Sequence, residues 1–123
     1  MVKINMKIKN LKDYGFKTSK RTYIIAEIGI NHGGDVGSAQ KLIESASRAG
    51  VNAVKFQTYI TEKRAPQGNK AIFDILKKCE LPFDAFRILK ECAVSNGLDF
   101  FSTPFDEESV EYLLSIDVDF FKV

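Results

Sequence analysis

Lys55 stands inside an apolar run. Ala53-Val54 leads into Lys55-Phe56-Gln57, so an ammonium group must sit within a hydrophobic strand or reach its end. A lone buried charge is costly unless something pairs with it. A phosphate or carboxylate is a natural partner for so compact a cation, the alternative being a lysine that snorkels out through the sheet end. Gln57 lies two residues on and therefore shares its face. Its amide can order a ligand hydroxyl or a metal-bound water, or bond a neighbouring strand. Three other apolar runs end similarly. Tyr23-Ile24-Ile25-Ala26 runs into Glu27, Asp99-Phe100-Phe101 into Ser102-Thr103, and Asp119-Phe120-Phe121 into Lys122. Four such groups at matching places predict one site, built where the strands of a parallel sheet end. Glu27 could bond a ligand hydroxyl or a water there, or pair with Lys55 or Lys122. Ser102 and Thr103 supply hydroxyls beside the free amides of the following turn, a neutral cradle for phosphate. Their alternative use is a helix cap. Asp106 reads as a cap.

The elements that must position these groups follow from pattern. Residues 2–9 alternate like a strand, and 11–20 read as a polar connector. Tyr23 to Ile28 is a strand rich in isoleucine, as expected for one covered on both faces. A glycine-rich turn, Gly29 to Gly37, precedes a helix over 38–49 with Ala39, Leu42, Ile43 and Ala46 as its apolar stripe. Gly50 stops it. A second strand covers 53–58. A long polar segment follows, with a short extra helix over 72–79. Further elements are a helix over 83–95, a strand over 98–102 broken by Thr103-Pro104, a helix over 107–115 and a strand from 118 to the end. The β-α-β-α-β-α-β order implies a parallel sheet with right-handed crossovers: a doubly wound sheet or part of an eight-stranded barrel. No dinucleotide fingerprint or Walker motif is present. A four-stranded parallel sheet would leave open edges, so the chain reads as the first half of a barrel.

Composition narrows the class. At 123 residues and 45% hydrophobic content the chain suits one α/β domain. Nothing approaches the roughly 20 apolar residues of a membrane span, and no signal core is evident. Cys79 and Cys92 lack metal-like spacing and read as reduced thiols, consistent with a cytoplasmic protein. Residues 1–21 hold seven Lys or Arg and one Asp, net +6. They alternate with Val2, Ile4, Met6 and Ile8 rather than with aromatics. A guarded edge strand is therefore expected, not a nucleic-acid surface. His32, the only histidine, reads as a structural turn residue beside Asn31 and Gly33.

Three segments together carry a resemblance: residues 24–34 (IIAEIGINHGG), residues 53–58 (AVKFQT) and residues 101–106 (FSTPFD). With Lys122 as a fourth point of match, the chain from 22 to 123 resembles the sialic acid synthases, which include N-acetylneuraminate, legionaminate and pseudaminate synthases. The resemblance implies a TIM barrel followed by a small antifreeze-like domain. Residues 1–21 would be an extension, 22–123 would hold the first four strands, and the remaining barrel and second domain would be absent. It also implies condensation of phosphoenolpyruvate with an N-acetylated hexose to give a nonulosonic acid and phosphate. Lys55, Ser102, Thr103 and Lys122 would bind phosphoenolpyruvate, with Glu27 and Gln57 toward the sugar. Glu27, Lys55 and Gln57 would be catalytic. A divalent metal, Mn or Mg, would be held by histidines beyond Val123, so no metal ligand is expected in this chain. The complete enzyme would be a homodimer. Two alternatives stand beside this reading: a synthase acting on a phosphorylated aldose, and a non-catalytic half-barrel that binds phosphate or sugar.

Overall fold

A computed structural model describes residues 22–65, 68–118 and 120–123. The proposed N-terminal strand and the 1–21 extension lie outside the described residues. The elements run β1 (Ile25–Gly29), α1 (Val36–Arg48), β2 (Ala53–Thr58), α2 (Thr61–Arg64), α3 (Lys70–Cys79), α4 (Phe83–Ser95), β3 (Asp99–Pro104) and α5 (Glu107–Ser115). The three strands form a parallel sheet in the order β1-β2-β3. The alternation of strands and helices is the expected one. Among the described residues the fourth strand is represented by one parallel bridge between Ser102 and Phe121, with the Lys122 amide donating to the Ser102 carbonyl at 3.2 Å.

Alternation along β2 separates two faces. Val54, Phe56 and Thr58 are fully buried, whereas Lys55 and Gln57 are only partly so. The buried side joins Phe100 of β3 in one core with Ala39 and Ile43 of α1, Phe86, Leu89 and Ala93 of α4, and Leu113 of α5. Phe56 and Phe100 stack at 5.5 Å between ring centroids. Burial of one such ring contributes about 1.5–3 kcal/mol. The α1 stripe behaves as its 3.6-residue period requires: Ala39, Ile43 and Ala46 are buried and Leu42 packs beside them. Three helices start on side-chain caps. Asp35 accepts from the Ser38 amide, Asn69 from Ile72 and Asp106 from Ser109. Each satisfies a donor the helix itself leaves orphaned.

The structure departs from expectation in three places. β1 is not covered on both faces: Ile25 is 43% exposed, and Ile24 just before the strand is 51% exposed. Among the described residues β1 is an outer strand with one neighbour, which explains this. β3 runs through Pro104 instead of stopping at Ser102. The Phe105 amide bonds the Thr58 carbonyl, so in the alternating pattern of a parallel strand the Pro104 nitrogen faces away from β2 and its missing N–H costs that ladder nothing. Finally, α2 occupies part of the polar segment. Its start is held by distant carboxylates. Glu80 accepts from the Thr61 amide and hydroxyl, and Asp106 accepts from the Ile60 amide.

Candidate active site

Glu27 and Lys55 are opposite one another in the β1–β2 register, and Lys55 Nζ pairs with Glu27 Oε2. The Lys55 side chain is 15% exposed and that of Glu27 48%. The lysine thus does not snorkel out alone; its charge is balanced at the strand end. The next register pair on this face is Gln57 with Thr103. Residues paired across parallel strands project to the same side, and so do residues two apart. Glu27, Lys55, Gln57 and Thr103 therefore share the face opposite the helices.

Gly29 closes the group from the β1 side. The register slips between Glu27 and Gly29, a bulge that turns the chain out of the sheet. Gly29 has φ +57°, and a Cβ there would stand 3.1 Å from Glu27 Oε1 and 3.5 Å from Gln57 Nε2. The carboxylate and the amide thus converge over bare backbone. Gln57 Oε1 is buried and accepts no hydrogen bond. The Gln57 amide would have to turn outward before a ligand donor could reach that oxygen.

Ser102 corrects the sequence reading. It pairs with Phe56, not with Lys55 or Gln57, and so faces the helices. Its side chain is fully buried, and its hydroxyl shares a 2.8 Å hydrogen bond with Thr58 Oγ1. Neighbouring residues of a strand point to opposite faces, so Ser102 and Thr103 cannot both turn their side chains to one ligand. Thr103 is the one turned toward Gln57. It does not cap α5, a role Asp106 fills through its 2.8 Å bond from the Ser109 amide. Lys122 is exposed. Phe120 packs on Phe101 at 4.4 Å, and alternation along the chain sets Lys122 on that same side, the side of Lys55.

His32 is buried within the turn that follows β1. Its Nδ1 accepts from the Gly34 amide at 3.0 Å and its ring stacks on Phe56. Nε2 is buried without a hydrogen bond. Burial lowers its pKa, opposed by the Gly29 carbonyl and Asp35. These contacts fit the structural role read from sequence. Among the described residues no group of three or more His, Cys, Asp and Glu could hold a metal ion. The donors present therefore do not fit the expected divalent metal.

Sequence reasoning missed an aromatic clamp above the strand ends. The Arg64 guanidinium lies 4.6 Å from the Tyr59 ring centroid and 3.8 Å from that of Phe105. Tyr59 donates its hydroxyl to the Leu76 carbonyl, and burial pushes its phenol up to about 12. Arg64 ends α2, whose existence depends on long-range caps, so no local signal pointed to it.

The relatives of this chain are consistent in kind. Residues 42–123 match the model of the NeuB family. The chain is 38% identical to the N,N'-diacetyllegionaminic acid synthase of Legionella pneumophila, a match covering 97% of this chain and 36% of that protein. It is 33% identical to the N-acetylneuraminate-9-phosphate synthase of Homo sapiens, over 82% of this chain and 32% of that one. The crystal structure of an N-acetylneuraminic acid synthetase from Leptospira borgpetersenii superposes with a TM-score of 0.80 at 38% identity, covering 85% of this chain and 36% of that one. The three parallel strands and their helices thus match part of that enzyme's fold, and the chain spans about a third of the length of these relatives. The chain belongs to the NeuB family.

Proposed function

We propose that this chain forms the phosphoenolpyruvate-binding part of a synthase that joins phosphoenolpyruvate to an N-acetylated hexose. The product would be a nonulosonic acid, with phosphate released. One observation carries the reading: Glu27, Lys55, Gln57 and Thr103 share one face at the strand ends. The remaining barrel and an antifreeze-like domain are taken to lie in a longer polypeptide, in which the first four strands are those described or begun here. The cytoplasm suits this reaction; among the described residues no helix is long and apolar enough to cross a membrane. Mn or Mg would be held by residues other than those described.

The chemistry assigns work to each side chain. C3 of phosphoenolpyruvate forms a bond to the aldehyde carbon of the open-chain sugar, whose oxygen takes up a proton. The resulting cationic C2 accepts water, and the C–O bond to phosphate breaks to leave a keto acid. Lys55 and Lys122 hold the carboxylate and phosphate, and the Thr103 hydroxyl donates to a phosphate oxygen. Fixing the alkene against the aldehyde in this way is a large part of the rate enhancement. Glu27 and Gln57 face the sugar hydroxyls or the incoming water. Glu27 also balances Lys55 before substrate arrives, which keeps the lysine oriented at modest cost.

Calorimetric titration with phosphoenolpyruvate tests this. The chain should bind it, and Lys55→Ala should lose that binding while remaining folded. In a polypeptide that includes the rest of the barrel, the same change should nearly abolish phosphate release. Undiminished binding and turnover in Lys55→Ala would sink the assignment.

A further inference from the structure

The last rung between β2 and β3 is made by a side chain. Thr58 and Pro104 are register partners, and the ladder continues with the Phe105 amide donating to the Thr58 carbonyl at 3.1 Å. In a regular parallel ladder the residue that makes such a bond accepts in turn, through its own carbonyl, from the residue two beyond its partner. That residue is Ile60, and its amide donates instead to Asp106 Oδ2 at 2.8 Å. The other oxygen of the same carboxylate, Oδ1, accepts from the Ser109 amide at 2.8 Å and so caps α5. A cap needs only one oxygen. The second ties the segment leaving β2 to the start of the helix that follows β3, through charge-assisted bonds at both ends.

The grip lies directly beyond the candidate ligand groups. Ile60 is three residues past Gln57, Asp106 is three past Thr103, and Gln57 and Thr103 are themselves register partners. Pro104, between Thr103 and the grip, has no amide to offer the ladder. Past Thr103 the two strand ends are held by the Phe105 amide, by Asp106 and, further out, by the exposed Lys63–Glu108 ion pair. We propose that Asp106 is a positioning residue for phosphoenolpyruvate: its two-oxygen grip sets Thr103 on β3 against Lys55 and Gln57 on β2 before the substrate arrives. This rests on the synthase reading above. Asp106 acts through the backbone and touches no substrate. As a bare charge it would oppose an anionic ligand, which gives the test a sign.

Asp106→Asn separates the two oxygens. Asparagine caps a helix as well as aspartate does, but its NH2 would face the Ile60 amide, donor against donor. Phosphoenolpyruvate is titrated calorimetrically into the unaltered chain, into Asp106→Asn and into Glu107→Gln, which removes a charge from the exposed start of the same helix. Asp106→Asn should bind about tenfold more weakly, as expected for ligand groups held slightly out of place, with its urea midpoint only slightly lower. Glu107→Gln should bind no more weakly than the unaltered chain. Asp106→Ser, a shorter cap with one oxygen, should show the same loss and serves where Asp106→Asn does not fold. Without ligand, hydrogen exchange at the Ile60 amide should quicken in either variant more than at Ser109. A role as a cap alone predicts unchanged affinity, and a role as a bare charge predicts tighter binding; either result overturns the proposal. So does an equal loss in Glu107→Gln, or an Ile60 amide that stays as protected as before. An unaltered chain that fails to bind phosphoenolpyruvate sinks the synthase reading and this proposal with it. Binding that Asp106→Asn leaves intact sinks this proposal alone.

Discussion

Lys55 and Glu27 sit directly opposite each other on adjacent parallel strands and meet in an ion pair, with the lysine much the more buried of the two. The asymmetry predicts different outcomes for the two partners. Glu27→Gln leaves a largely buried ammonium facing only an amide, whereas half of the lost carboxylate was already in water. A loss of about 1 kcal/mol in urea unfolding is expected, at the exposed-pair end of the scale. Phosphoenolpyruvate binding should survive, because the Lys55 ammonium is no longer engaged by Glu27. Lys55→Ala should do the reverse, with little change in stability and no phosphoenolpyruvate binding.

Ser102→Ala separates the two hydroxyls at the end of β3. The Ser102 hydroxyl bonds Thr58 in the core, and removing it leaves the Thr58 hydroxyl buried and unpaired. Stability should fall by about 1–3 kcal/mol while phosphoenolpyruvate affinity stays within twofold or so of the unaltered chain. Thr103→Val should do the opposite. A large drop in affinity for Ser102→Ala with unchanged stability would reverse the assignment.

Much of this arrangement is legible in sequence, and the failures have physical causes. β2, α4 and α5 fall where their own patterns put them: alternation about Lys55 and Gln57, the Phe86/Leu89/Ala93 stripe, and the acidic first turn after Asp106. α2 was hidden because Glu80 and Asp106, far along the chain, supply its start. The split between Ser102 and Thr103 was legible as well. Adjacent strand residues must diverge, so choosing Thr103 for the ligand already sent Ser102 to the core. The Arg64 clamp was not legible, since Tyr59 and Phe105 come together only through the β2–β3 register.

Two glycines should resist substitution for different reasons. Gly29→Ala places a methyl at φ +57° against the Glu27 carboxylate and the Gln57 amide. The left-handed backbone alone costs roughly 1–2 kcal/mol, and the displaced carboxylate should weaken sugar binding as well. At Gly34, φ is +84° and a Cβ would collide with the Lys78 carbonyl at the end of α3. Backbone cannot rotate away as a side chain can. Gly34→Ala should therefore be the more destabilising of the two in urea unfolding, by shifting α3 off the turn after β1.

His32 should make stability depend on pH near neutrality. Burial lowers its folded-state pKa below the ordinary 6.5, so the unfolded chain binds the proton more readily. The sign follows: this contribution is complete above about pH 6.5 and is lost as pH falls from there toward the lowered folded value. The cause is visible in the turn. Nδ1 must stay unprotonated to accept the Gly34 amide, and a second ring proton would face that N–H directly. Urea midpoints measured from pH 7.5 down to 5.5 should decline for the unaltered chain. His32→Asn keeps an acceptor for Gly34 without a titrating group, so its midpoint should be lower at pH 7.5 but decline less over the same interval. Parallel declines in the two proteins would place the pH dependence elsewhere.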